Sequence, residues 1–408
     1  YSSIQGGWPG EGNIGGYPQF VDSANGNYRL RNGSPCIDTG LVSAAPSEDA
    51  EGRKRPGDDG FVDMGAYESP PEYEPGEESE PPSVIYVRSD AVPEGNGSSW
   101  DRAVKSIGAA IQIMGGTAEV WVAAGTYRES IRTEPGIALY GGFWGTEEGR
   151  EERDWAVNET IIDAAGSDTP AVTGADDAIL DGFTVTGGQQ GGIFCYSSSP
   201  TLTNCTIAGN TAGIGGGVLC FYSSPTLTNC TIAGNTADDG GGVSCYDSSS
   251  PTLTNCTISG NTGGGVSCWN SSPTLTNCTI TANTDGGVLC SRESSPNITN
   301  CILWNRGIEI DGAVTVEYSC IQEGWEGEGN ISAYPLFVRP WDGESADLHL
   351  MPGSPCIDAG NPDPSYNDGC LPPGLGTERC DMGAYGGPGN CGWLGISQPV
   401  GVLEWMQY

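Results

Sequence analysis

The ten-residue phrase SSPTLTNCTI limits the folds open to this chain more than any other feature. It occurs with its proline at Pro200, Pro225, Pro251 and Pro273, and the variant SSPNITNCIL carries Pro296, giving steps of 25, 26, 22 and 23 residues. Two cysteine series keep the same rhythm. Cys205, Cys230, Cys256, Cys278 and Cys301 come from TNC, and Cys195, Cys220, Cys245, Cys268 and Cys290 come from GGxxC. A period in the low twenties, made of short β-branched runs separated by Gly and Asn, predicts a β-solenoid whose coils bury their apolar faces against one another.

Alternation assigns the side chains. In GGVLC, Val218 and Cys220 share one face and Leu219 takes the other. In TLTNCTI, Leu227, Cys230 and Ile232 point inward and Asn229 turns the bend, because Asn tolerates the left-handed conformation best among non-glycine residues. Stacking then aligns like on like at ~4.8 Å, and the side chains of Asn204, Asn229, Asn255, Asn277 and Asn300 are expected to hydrogen-bond along one column. The Asn-x-Ser/Thr sequons at Asn204, Asn229, Asn255 and Asn277 therefore read as structural bends. The stretch from Asn210 to Val218 and that from Asn235 to Val243 each span eight residues, against five for Asn261 to Val266 and Asn283 to Val288. The change is confined to one Gly-rich corner, as expected where a loop leaves a fixed coil.

A second repeat has a much longer period. Tyr1–Asp22 and Tyr318–Arg339 are identical at 15 of 22 positions at an offset of 317. GSPCID at 33–38 recurs at 353–358, and DMGAY at 63–67 recurs at 381–385. Between the copies lies ESPPEYEPGEESEPPS, residues 68–83, with six Glu and five Pro, an extended and self-repelling spacer. The domain reading follows: a closing segment at 1–68, an acidic Pro/Glu linker at 69–83, an N-terminal cap and first coils at 84–190, regular coils at 191–317, a second closing segment at 318–390 and a tail at 391–408. The chain starts at Tyr1 and reads as a processed or truncated piece of a modular array. In the cap, Trp100, Ala103, Val104, Ile107, Ile111 and Met114 lie on one helical stripe, with Ser98 or Ser99 as N-cap. That amphipathic helix would cover the open end of the solenoid.

The formal net charge is −36, from 52 acidic and 16 basic side chains, so clustered phosphate contacts are excluded and no nucleic-acid partner is expected. No apolar run approaches the ~20 residues of a membrane span, so no membrane insertion is expected. Residues 191–300 carry one Arg (Arg292) and five acids, which leaves a neutral, hydroxyl-coated coil surface in an acidic chain.

The coil SSPTLTNCTISGNTGGGVSC resembles the right-handed parallel β-helix repeats of the pectate-lyase-like superfamily. The stretches IYVRSDAVPEGNGSSWDRAVKSI, VWVAAGTY and LYGGFWGTEEGREERDW look like the first coils of secreted bacterial β-helix proteins. The pair GSPCIDAG and DMGAY is similar to the C-terminal signature called choice-of-anchor Q, which implies an extracellular or surface location and no particular reaction. The resemblance covers nearly the whole chain, but the residues after Tyr385 depart from it and do not read as an anchor segment.

Enzymes of that superfamily hold carboxylates and an Arg or Lys on one external face, for calcium binding or acid–base work. The exposed repeat positions here are Thr, Ser, Asn and Gly, so no catalytic residue and no cofactor are assigned. Asp176, Asp177 and Asp181 read as turn residues, and the patch Thr146–Asp154, with Arg150 and Arg153, as a solvated loop with local ion pairs. His349, the only histidine, aligns with Arg29 of the first copy and is given no chemistry. Asp38, Asp63, Asp358 and Asp381 are retained in both closing copies, as turn caps or weak calcium candidates. The stacked cysteines read mainly as free buried thiols. The first copy lacks both Cys370 and Cys380, and their joint absence predicts a disulfide between them. Trp269 and Trp304 read as cap or corner packing, with sugar-stacking platforms as the alternative.

The expectation is an all-β, right-handed parallel β-helix with an N-terminal capping helix and a C-terminal closing region. Its expected role is that of a secreted, non-catalytic structural protein assembling head-to-tail. The tail from Trp393, which ends in VGVLEWMQY, is a candidate strand donor to a neighbour. A polysaccharide lyase or hydrolase and a glycan-binding adhesin are the alternatives.

Overall fold

The computed structural model describes residues 20–22, 27–30, 34, 36–37, 39–50, 54–55, 61–67, 83–92, 95–113 and 119–394. Asp38, Met114, the linker between Glu68 and Pro82, and the tail after Leu394 lie outside them. The chain divides into two compact units, one of residues 1–83 with 109–118 and one of residues 84–108 with 119–408.

The larger unit is a parallel β-solenoid with three faces. The first face is a ten-stranded sheet running from Val84–Val87 to Thr315–Glu317, the second has nine strands from Gly125–Tyr127 to Cys320–Ile321, and the third has eight from Ile131–Arg132 to Ile308–Asp311. Each coil adds one strand to each face in register, so Leu202 meets Leu227 and then Leu253, Ile207 meets Ile232 and then Ile258, and Cys220 meets Cys245 and then Cys268. Those inward columns are almost fully buried. The bend residues Asn204, Asn229, Asn255, Asn277 and Asn300 all have φ between +49° and +56°, the left-handed turn their identity predicts.

The asparagines that bond from coil to coil, however, form a different series. The amides of Asn210, Asn235, Asn261, Asn283 and Asn305 are buried, and each Oδ1 from Asn235 to Asn305 accepts from the backbone N–H and Nδ2 of the Asn one coil earlier, at 2.8–3.1 Å. Glu309 ends the series by accepting from Asn305 N and Nδ2, and burial pushes its carboxyl pKa up. A serine column, Ser198 to Ser294, runs the same way, each Oγ from Ser223 onward accepting from the backbone N–H of the serine one coil before.

At the N-terminal end the helix is shorter than its apolar stripe predicts. Trp100–Arg102 is a single 3₁₀ turn, Val104 bridges Val87, and the α-helix covers Ile107–Ile113. Neither Ser98 nor Ser99 caps it. Glu129 accepts from Ile107 N at 2.8 Å and Gly108 N at 3.0 Å, a carboxylate at the positive end of the helix supplied from 21 residues away.

The smaller unit has the local fold of the closing segment. In it Phe20–Asp22 pairs antiparallel with Asn27–Leu30, with Phe20 opposite Leu30. In the larger unit Phe337–Arg339 pairs with Asp347–Leu350, with Phe337 opposite Leu350. Met64 N donates to Cys36 O and Gly40 N to Val62 O in the first copy; Met382 N to Cys356 O and Gly360 N to Cys380 O are their counterparts. The long-period repeat is therefore a repeat of structure.

Candidate functional site

The residues singled out in the sequence divide between two places, the closing segment and the outer surface of the coils. In the second closing segment Asp358 and Asp381 anchor turns, while Asp38 of the first copy lies outside the described residues. Asp381 accepts from Asp358 N and Leu375 N, both at 2.7 Å, and Asp358 accepts from Thr377 N at 2.9 Å and Thr377 Oγ1 at 2.7 Å. Asp63, like Asp381, is buried. Asp368 has no signal in the repeat pattern, because its loop differs in sequence from that of the first copy. Its Oδ1 accepts from Gly387 N at 2.6 Å and Asp381 N at 3.1 Å, and its Oδ2 is buried with no hydrogen-bond partner among the described residues. Burial, with Asp381 nearby, pushes the Asp368 carboxyl up to about 7, and burial pushes Asp381 up to about 6. Among the described residues no group of three or more His, Cys, Asp or Glu side chains is placed to hold a metal ion.

The expected Cys370–Cys380 disulfide is not formed. Cys370 bonds Cys391, with Cα atoms 5.2 Å apart. Cys380 is a buried thiol receiving a hydrogen bond from Asn277 Nδ2 at 3.2 Å, and burial pushes it up to about 12. The reason is the path of the chain after Tyr385, which lies against the bend column. Asn255 Nδ2 donates to Ala384 O and Gly386 O, Asn277 Nδ2 to Asp381 O, and Asn300 Oδ1 accepts from Asn361 N. A Cβ at Gly383 would meet Thr279 and Ile302, at Gly387 it would meet Asn277, at Gly389 Asn255, and at Gly392 Asn229. GAYGGPGNCG is therefore a glycine strap laid lengthwise on four coils; of the asparagines expected to pair with each other, Asn255 holds the strap and Asn277 holds Asp381 just before it. Only Asn300 Nδ2 to Asn277 Oδ1, at 3.4 Å, keeps the expected pairing.

His349 stacks on Tyr385 with centroids 3.7 Å apart, and in the first copy Arg29 lies over the Tyr67 ring at 5.2 Å. Both residues cover the same tyrosine, which accounts for their exchange without any catalytic role.

On the first coils Asp181 accepts from Arg153 Nη2 at 2.5 Å and from Asn204 Nδ2 at 2.9 Å. Arg150 reaches Glu119 at 2.6 Å and the Tyr140 hydroxyl at 2.9 Å. The ion pairs expected to be local thus reach across coils. Asp176 accepts from Ser199 N, and Glu147 from the N–H groups of residues 144–146. Each of these carboxylates is held by backbone or by arginine.

The third face departs from the Thr and Ser of the other two. Its outward column reads Tyr196, Phe221, Tyr246, Trp269, with parallel-stacked rings at centroid separations of 5.8, 6.2 and 6.2 Å, and Arg292 lies 4.2 Å over Trp269. Trp304 is instead partly buried against the closing-region core, beside Tyr334. Of the two tryptophans named from sequence, Trp269 is the surface one, and its partners were hidden by the exchange of ring types along the column.

Residues 150–251 and 171–322 match the family model described as right handed beta helix region, and the fold is a right-handed parallel β-helix. A comparison with curated proteins gives no match. Among solved structures the chain is similar to pectate lyase Pel9A, at 13% identity over 74% of this chain and 96% of that one, with a TM-score of 0.40. It is also similar to a pectin methylesterase from carrot, at 14% identity over 65% and 84% with a TM-score of 0.41, and to XylC in complex with xylose, at 11% over 60% and 65% with a TM-score of 0.40.

Proposed function

We propose that this protein is a secreted, non-catalytic structural module, one unit of an extended array in which closing segments bind coils together. The observation that carries this reading is the strap. In the second copy Gly383 lies against Thr279 and Ile302 of the coils, and Gly65 is its counterpart in the same hairpin framework of the first copy. A closing segment is shaped for a coil flank, and the coils of residues 84–317 already carry their own. The first copy is thus suited to coils of a neighbouring unit, either a further module or another copy exchanging closing segments.

The Cys370–Cys391 disulfide supports an oxidising, extracellular compartment, in line with the choice-of-anchor resemblance. An enzyme reading needs a carboxylate and an arginine free in a groove. Here the Arg153–Asp181 pair is largely buried and spends its hydrogen bonds on Gly141 O, Asp181 O and Asn204.

Sedimentation velocity of the full chain across a wide concentration range tests the proposal. An open-ended ladder of species growing with concentration is the expected result, and a single monomer peak at every concentration contradicts it.

A further inference from the structure

The aromatic column on the third face is not needed for the coil to close. At other outward positions the repeat uses Thr, as in the columns Thr226–Thr252–Thr274 and Thr231–Thr257–Thr279. On the third face the side chains remain in water, with Tyr196 56%, Tyr222 54% and Trp269 37% exposed. Phe194 lies 6.2 Å from Tyr196, and Leu219, paired with Phe194 in register, widens the apolar surface.

Tyr222 supplies a second, separate observation. The residue after the column position is left-handed in five successive coils: Ser197, Tyr222, Asp247, Asn270 and Arg292 have φ between +48° and +57°. Asp and Asn suit that conformation, whereas a bulky ring does not. The coil imposes the conformation at this position, and Tyr222 is kept there at a cost that Asp247 and Asn270 avoid. The Tyr222 ring stands at 84° to Tyr196 and 82° to Phe221, so it is turned out of the stack rather than added to it.

Polar groups line the same surface. The Asp239 carboxylate accepts from the Tyr246 hydroxyl at 2.5 Å and from Ser267 Oγ at 2.6 Å, and Arg292 covers the end of the stack. Rings that present apolar area beside fixed hydroxyl and carboxylate groups match the alternating C–H faces and hydroxyl edges of a pyranose. Charge selects among such ligands. The chain as a whole carries a net charge of −36 and the Asp239 carboxylate stands at the column itself, so a polyuronate is repelled and a neutral chain is not.

We infer that the Tyr196–Tyr222–Trp269 surface binds a neutral polysaccharide of equatorially substituted hexopyranose units, lying along the solenoid axis. The site is independent of array formation, since a lone coil stack presents it.

The test is affinity electrophoresis of the full chain in gels containing hydroxyethylcellulose or polygalacturonate, with isothermal titration of cellohexaose. Retardation by the neutral polymer only is expected. Tyr222→Asn, which relieves the backbone while removing the ring, and Trp269→Ser, the residue one coil on in the same column, are each expected to weaken binding about tenfold. Trp144→Ala removes an exposed tryptophan from the first coils and is expected to bind as wild type. Thermal denaturation monitors folding, and Tyr222→Asn is expected to melt no lower than wild type. Lack of retardation in the neutral gel, equal retardation in polygalacturonate, or wild-type binding by both ladder variants would overturn the inference.

Discussion

At the residue scale, the closing segment depends on carboxylates buried more deeply than their repeat pattern reveals. Asp381 was legible because it recurs as Asp63, and its turn role follows from Asp chemistry. Asp368 was not, since nothing local marks a residue whose importance comes from packing against Asp381 and Gly387. The two carboxyls are pushed up to about 6 and about 7 in the folded chain, against an unfolded value near 3.9. Folding therefore takes up protons between those values, and the stability they contribute is full below about pH 4 and lost as pH rises through 6 to 7. The closing region should melt at a higher temperature at pH 5 than at pH 8, opposite to the usual carboxylate trend. Asp368→Asn should flatten that slope while keeping the acceptor for Gly387 N. A calorimetric scan at both pH values checks this, and an unchanged slope in the variant would refute the assignment.

At the scale of elements, the period-2 alternation placed the Leu, Ile and Cys columns correctly, because one buried face fixes register strongly. The asparagine ladder was assigned to the wrong series. Both series recur once per coil, but the bend asparagines sit where the strap arrives, whereas Asn210 to Asn305 face a closed interior. The clue was present in the sequence: Asn210, Asn235, Asn261, Asn283 and Asn305 recur after Gly, Ala or Trp at the end of a short strand, before the loop that changes length. Asn261→Ala leaves the N–H of Asn235 without its acceptor and Asn235 Nδ2 with Ile207 O alone, and it removes one donor each from Ile232 O and Asn283 Oδ1. At about 1–3 kcal/mol for a buried donor left unmade, the loss should be about 1–3 kcal/mol, read by chemical denaturation. The disulfide was misassigned because its partner follows the strap, whose course depends on coils more than 100 residues earlier. Removing it with Cys370→Ser and Cys391→Ser together should cost about 3 kcal/mol for the 21-residue separation, concentrated in the strap. Hydrogen exchange should show faster opening of residues 383–394 and an unchanged central coil.

At the scale of the whole molecule, the short period made the solenoid readable and the long period made the two closing copies readable. Two facts needed the third dimension: that a closing segment clasps a coil flank, and that the third face gathers aromatics. The first follows from glycines whose spacing has no meaning until the bend column is beside them. The second follows from ring identities that change from each coil to the next and align only through register. The most direct test of the array is electron microscopy of the native material, with intact mass on the same sample. The account predicts fibres or end-joined rods with an axial repeat of at least roughly 45 Å, the height of ten strands stacked at ~4.8 Å. Separate particles of one module's length, at every concentration and with the mass of a single chain, would contradict it.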